Sequence, residues 1–417
     1  MSAIRDFVMQ EPLFDNHEHQ HGFSALENQK DELTFREFVG YAGADLTTAM
    51  GPHAEEAGAD DLSDERFWQV WRHVRTTGYG QATELACRAV LELEYCAENA
   101  EEITSCLREF CADKDGRTIY ADMMERAGIR WAMNDACWDS PTDLRFFAGK
   151  EHPETFGQSI RYDNILVMSS PQDFRRLARD LDRTIHRLDQ LNDALDEYTQ
   201  RALEAGKLKG MKCGLPYRRG LSFQKSSYAE AERVFEAVMQ GRQPELTPLH
   251  DYLFHRFVQR AADFGLPIQF HTGYLAGNRG LLGQGDPRPL IPVLRRYAGV
   301  RFDLFHAGWP YSELMSAIGK AFPNAWLDLC WAWTMNPAQM ERILSEWLAA
   351  VPHNKIFGYG GDTGSPFPMV GYALQARRGI ANVLEAKVES GEYDEETARQ
   401  VAQRVMHANA REFYVME

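Results

Sequence analysis

The sequence predicts an α/β fold, a distorted (β/α)8 TIM-type barrel with a helical insertion. Three observations lead there. Short apolar or β-prone runs recur along the chain, and each of the clearest ones ends in a polar residue able to do metal or proton chemistry, followed by a Gly or Pro turn. Segments with helical periodicity lie between these runs, as expected of βα units around a parallel sheet. The 417 residues contain no low-complexity tract or Pro/Gly-rich linker, so residues 1–417 read as one barrel with insertions.

The first strand is PLFDNHEH, with His17 and His19 at its end. The acidic, mostly helical stretch 24–115 is far longer than an ordinary βα loop and reads as an insertion or cap. GIRWAMND near 130 is a weaker second strand, and NILVMSS near 167 is a candidate for another. DFRRLARDLDRTIHRLDQLNDALDEYTQRALEAG has helical periodicity and closes on a Gly suited to a C-cap. LKGMKCGLP around 210 brings Lys212 to a strand end. Segment 222–265 holds two helices, the second being HDYLFHRFVQRAADFG. LPIQFHTGY then places His271, VRFDLFHAGWP places His306, NAWLDLCWAW supplies a weaker strand, and KIFGYGGDTGSP places Asp362. Eight strands result.

Composition narrows the function. A net charge of −16 with 25% charged residues disfavours nucleic acid and anionic membranes, which need clustered Lys and Arg, and leaves a small-molecule substrate. The N-terminus lacks a basic segment followed by an apolar one, and no apolar run approaches the roughly 18 residues of a membrane span. A cytoplasmic location is expected, with room for a homo-oligomer. Cys87, Cys96, Cys106, Cys111, Cys137, Cys213 and Cys330 form an odd, scattered set without a CxxC pair, which argues for reduced thiols.

His17 and His19 are one residue apart, so on a strand both imidazoles project to one face and can reach one ion. A third imidazole from His271 and a carboxylate from Asp362 complete a mixed N/O set suited to Zn2+, with Mn2+ or Fe2+ as alternatives. Individually, His271 also fits a satisfied core histidine and Asp362 a helix cap. Asp362 could in addition accept the proton of an activated water. Three roles suit His306: polarising a substrate carbonyl, assisting proton transfer, or binding a second metal. Lys212 fits carboxylation and bridging of two metals, an anion-binding ammonium, or a solvated lysine. Arg218 in LPYRRGL suits bidentate recognition of a substrate carboxylate, and equally a surface ion pair. Trp309, Trp331 and Trp333 fit either an apolar pocket wall facing Tyr217 or packing of the barrel rim.

These residues, in this order, resemble the amidohydrolase superfamily, of the amidohydrolase-2 type. GMKCGLPYRRGL, LPIQFHTGY, FDLFHAGWPYSELMSAIGKAFPNAWLDL and KIFGYGGDT look like the branch containing amidohydrolase-like domains fused to glutamine-synthetase-like modules, and more distantly the uronate isomerases. The tail HANAREFY is similar to a segment that often closes the catalytic domain. The likeness covers about 10–25 and 205–415. It implies the barrel, the metal ligation and a water-activating Asp362, with one ion expected and a second if Lys212 is carboxylated. The scaffold supports several reactions. Hydrolysis of a C–N bond in a small carboxylate-bearing amide is the first expectation, with Asp362, His306 and Lys212 as catalytic groups. A decarboxylase or uronate-isomerase-like reaction at the same site is the second, and a degenerate, binding-only barrel the third.

Overall fold

A computed structural model describes residues 2–52, 61–135 and 143–415. Its centre is an eight-stranded parallel sheet in sequential order, formed by β1 (Leu13–Glu18), β2 (Ile129–Asn134), β3 (Phe156–Arg161), β4 (Leu208–Cys213), β5 (Ile268–Phe270), β6 (Phe302–Leu304), β7 (Ala325–Asp328) and β8 (Ile356–Phe357). The seam between first and last strands is drawn together just past β8. There Asn16 N–H donates to the Tyr359 carbonyl, Asp362 N–H to His17 and His19 N–H to Thr363. The fold is thus the expected TIM-type (β/α)8 α/β barrel.

Most strand residues are buried, as in a sheet covered by helices outside and filled by side chains inside. β1 is buried along its whole length although four of its six residues are Asp, Asn, His and Glu. That polarity belongs to the barrel interior and decides where the site forms.

The third strand differs from the sequence expectation. NILVMSS does not form it: Asp163–Leu166 is a short helix, and the strand is the preceding FGQSIR. This run has only two large apolar residues and gives a weak strand signal. Pairing with β2 and β4 on either side supplies the stabilisation that its composition lacks. The long helical segment after it is two helices, Pro171–Asp180 and Leu188–Glu204, with Asp182 in the left-handed region between them (φ 52°). A Ser170/Asp173 capping box starts the first. Segment 222–265 does form two helices, Tyr228–Met239 and Thr247–Asp263.

Between β1 and β2 the chain forms the helices Phe23–Gln29, Ala42–Met50, Asp64–Val74, Gly78–Leu91, Ala100–Ala112 and Gly116–Ala127, the last ending on Gly128 (φ 69°) and leading into β2. Helix Gly78–Leu91 packs on the long helix Pro366–Glu389, where Gly371 lies so close that an added Cβ would overlap the Ala82 carbonyl oxygen. At the opposite end from the polar strand termini, Tyr414 enters the barrel, its hydroxyl 2.5 Å from Asp303 and 2.9 Å from Gln269 Nε2.

Among the described residues, no helix is long and apolar enough to cross a membrane. Cys87, Cys96, Cys106, Cys111, Cys213 and Cys330 are free thiols, and Cys137 lies outside the described residues.

Candidate metal centre

The end of β1 carries His17, fully buried, and His19, half-buried. Their rings meet edge to face with centroids 4.7 Å apart. His19 Nε2 lies 3.1 Å and His17 Nε2 3.8 Å from Asp362 Oδ1, so the first strand and the turn after the last strand converge on one carboxylate oxygen. His19 Nδ1 donates to the Asp135 carbonyl at the end of β2. Among the described residues, neither ring nitrogen of His17 has a hydrogen-bond partner. Burial and the neighbouring Lys212 cation hold that imidazole neutral, well below its usual pKa.

A second pair of imidazoles faces the other oxygen. His306 Nε2 is 3.7 Å from Asp362 Oδ2 and 2.9 Å from His271 Nδ1. His271 therefore joins the group through His306 rather than through Asp362. Backbone carbonyls select the tautomers: His271 Nε2 donates to Tyr274 (2.8 Å) and His306 Nδ1 donates to Cys330 (3.1 Å). Burial lowers both rings, His306 to about 4 and His271 well below its ordinary value. Asp362 is balanced differently. Burial alone raises its carboxyl, but the His19 hydrogen bond and the charges of His19, His306 and Lys212 outweigh this and hold it below the usual value.

Backbone strain accompanies this convergence. His306 (φ 64°), Ala307 (φ 54°), Trp331 (φ 61°) and Asp362 (φ 55°) are non-glycine residues in the left-handed region. Such conformations cost about 1–3 kcal/mol each and cluster where a side chain must be aimed.

Lys212, at the end of β4, is buried with its ammonium 3.8 Å from the centre of the Phe305 ring and, among the described residues, without a carboxylate partner within 4 Å. Burial, and then Arg161, lower its pKa. Arg161 ends β3 and pairs with Asp135 (2.8 Å) and Asp163 (3.3 Å), while Asp163 also accepts from the Gly214 N–H. These groups face a cavity of about 560 Å3 lined in part by His19, Arg161, Lys212, Tyr217, Arg218 and Asp362. Arg218 is exposed at the mouth and donates to Asn164, and the Tyr217 ring packs 4.8 Å from His271. Trp331 stands behind His306, ring to ring at 5.2 Å, and its neighbour Trp333 is buried on the Gly358 carbonyl. Trp309 donates to Gln339 and packs on Tyr274, ring to ring at 5.3 Å.

Arg161, Asp135 and Asp163 escaped the sequence reading. Asp135 follows the GIRWAMN strand directly, so the same strand-end rule that found His271 would have found it. Arg161 was hidden by the misplaced third strand.

The donor set fits a divalent cation. His17 offers two buried, unpartnered ring nitrogens beside a carboxylate, and His271 and His306 point unprotonated nitrogens at each other. Among the described residues, two groups have donor atoms within 4.8 Å of one another: His17, His19 and Asp135, and His306, Cys330 and Asp362.

The amidohydrolase family matches residues 184–415, from the helix before β4 to the end of the barrel. Over 221 residues the chain is 27% identical to the protein fluG of Emericella nidulans, covering 49% of this chain and 25% of that protein, so it spans about a quarter of the length of this curated relative. In fold it is similar to the uronate isomerase of Thermotoga maritima (TM-score 0.80, 16% identity, 99% of this chain and 96% of that one). It is also similar to the glucuronate isomerase of Caulobacter crescentus (TM-score 0.77, 17% identity, 99% and 93%). A family match over more than half of the sequence, on a barrel whose strand ends gather imidazoles around one aspartate, shows that this chain belongs to the amidohydrolase family.

Proposed function

We propose that the centre hydrolyses a C–N bond of amide type in a small, carboxylate-bearing substrate. The observation that carries this reading is the convergence of His17, His19 and His306 on the two oxygens of Asp362, beside a cavity whose wall includes Lys212, Arg161 and Arg218. His17, His19, Asp362 and, through its contact with His306, His271 would hold a divalent cation, zinc first and manganese or iron(II) as substitutes. Such an ion polarises a carbonyl and lowers the pKa of water bound to it towards about 7.

The chain's own groups do the rest. Asp362, kept ionised, takes the proton of the attacking water and delivers it to the departing nitrogen. His306 would serve the oxygen on which negative charge develops once its Nε2, which faces the site 3.7 Å from Asp362, carries a proton. Lys212, a buried ammonium without a carboxylate partner, attracts the substrate carboxylate, with Arg218 and Tyr217 at the mouth of the same cavity. Trp331 holds the His306 ring in place from behind.

A second reading has one specific observation in its favour: the His271–His306 contact could relay a proton between neighbouring substrate carbons, as an isomerase or decarboxylase of this scaffold would require. Isotope labelling separates the two. Zinc-loaded protein is incubated in 18O water with small carboxylate-bearing amides and, in parallel, with hydroxy- and keto-acids. One 18O atom in the acid released from an amide is expected. Turnover without solvent oxygen in the product overturns the hydrolytic reading in favour of proton transfer.

A further inference from the structure

We infer that the Cys330 sulfur, His306 Nε2 and Asp362 Oδ2 form a second cation position beside the His17–His19 position, with Asp362 contributing one oxygen to each. This deepens the proposed function and rests on that reading, because His306, one of its catalytic groups, would be among the residues that hold the second ion.

Three features support it. The donor atoms of His306, Cys330 and Asp362 all lie within 4.8 Å of one another and all three residues are buried. The carbonyls of Tyr274 and Cys330 take the N–H of His271 and of His306, which turns the lone pairs of His271 Nδ1 and His306 Nε2 towards each other across 2.9 Å. Two converging lone pairs in a buried site need a positive charge between or beside them. Finally, Asp362 directs one oxygen at His19 and His17 and the other at His306, the arrangement of a bridging carboxylate.

The loop after β8 is shaped around the sulfur. At Gly360 an added Cβ would lie 2.7 Å from Cys330 Sγ and 3.2 Å from the His17 nitrogen, so only glycine lets that loop close over both. On coordination the thiol releases its proton to solvent and a metal–sulfur bond forms, with no change in oxidation state. A thiolate donor favours zinc or cobalt at this position over manganese or magnesium, which prefer oxygen.

Cobalt supplies the test. Metal-free, reduced protein is titrated with Co2+ while bound metal is counted and the near-ultraviolet spectrum followed. Two equivalents are expected, with a sulfur-to-cobalt charge-transfer band. Cys330→Ser should lose the band and bind one of the equivalents about tenfold or more weakly, with an unchanged circular dichroism spectrum, whereas the buried control Cys213→Ser should keep the band. Bound cobalt without a sulfur band, or a band that survives Cys330→Ser, overturns the inference and leaves the His17–His19 position standing. A wild-type chain that binds no cobalt overturns both this inference and the metal-dependent reading beneath it.

Discussion

At the scale of single residues, Asp362 and Lys212 illustrate opposite outcomes of burial. Both are enclosed, and desolvation opposes charge on each. Asp362 stays ionised because His19 bonds it and His306 and Lys212 lie near. Asp362→Asn keeps shape and volume but removes the proposed proton acceptor. It should lower kcat by about 100-fold or more, read on whichever substrate the labelling experiment identifies. Lys212 has the Phe305 ring against it and no close carboxylate, so its charge is available to a ligand. Lys212→Met should raise KM for the anionic substrate by about tenfold or more and leave KM for its uncharged ester nearly unchanged. Equal losses on both substrates would instead assign Lys212 a structural role.

At the scale of elements, the packing of helices onto the barrel depends on buried polar clamps as well as apolar faces. Arg377, on helix Pro366–Glu389, is buried and donates to the carbonyls of Val8, in the last turn of the first helix, Ala3–Gln10, and of Glu11 just after it, and to those of Ala127 and Gly128 at the end of helix Gly116–Ala127. One guanidinium thus satisfies the C-terminal carbonyls of two helices and ties both to a third. Arg377→Met removes the side-chain donor from the Val8, Glu11 and Ala127 carbonyls, while Gly128 keeps the Leu13 N–H. It should cost about 3 kcal/mol, measured as a lower urea midpoint, while bound metal in the surviving folded protein stays unchanged. Element scale is also where sequence reading was most uneven. β4, β5 and β6 announce themselves by apolar runs and a reactive residue, whereas β3 does not, because its stability comes from neighbours on both sides. Losing β3 meant losing Arg161 with it.

At the scale of the whole molecule, the barrel interior is unusually polar for a core. Beneath the candidate metal centre, Asp303 on β6 and Asp328 on β7 interact with each other, and Tyr414, Asn16 and Gln269 are bonded around them. Burial raises Asp303 to about 7, and burial together with the Asp303 charge raises Asp328 well above the usual range. A carboxyl whose pKa is raised on folding costs nothing below its unfolded value near 4 and progressively destabilises the fold as pH rises through about 7. Metal-free protein should therefore lose stability between pH 4 and pH 7, and Asp303→Asn should flatten this fall. Urea midpoints across that range, with both proteins treated with chelator, check the expectation. A slope unchanged by the substitution would show that the pair is not the source.

The sequence by itself determined the barrel and the identity of most groups at its mouth: His17, His19, Lys212, His271, His306 and Asp362 each follow a strand-forming run, and a parallel barrel delivers all such positions to one face. Only the tertiary structure decided how they divide the work. Which oxygen of Asp362 meets which imidazole, why His271 reaches the group through His306, that Arg161 stands in the cavity wall, and that Trp331 backs His306 all depend on contacts between strands far apart in the chain. The same holds for the placement of Cys330, which the sequence showed only as one of seven scattered thiols. The physical reason is locality. A strand, its end and its following turn are properties of neighbouring residues, whereas the aim of a side chain is set by left-handed backbone at His306, Trp331 and Asp362 and by carbonyls that other elements bring within reach.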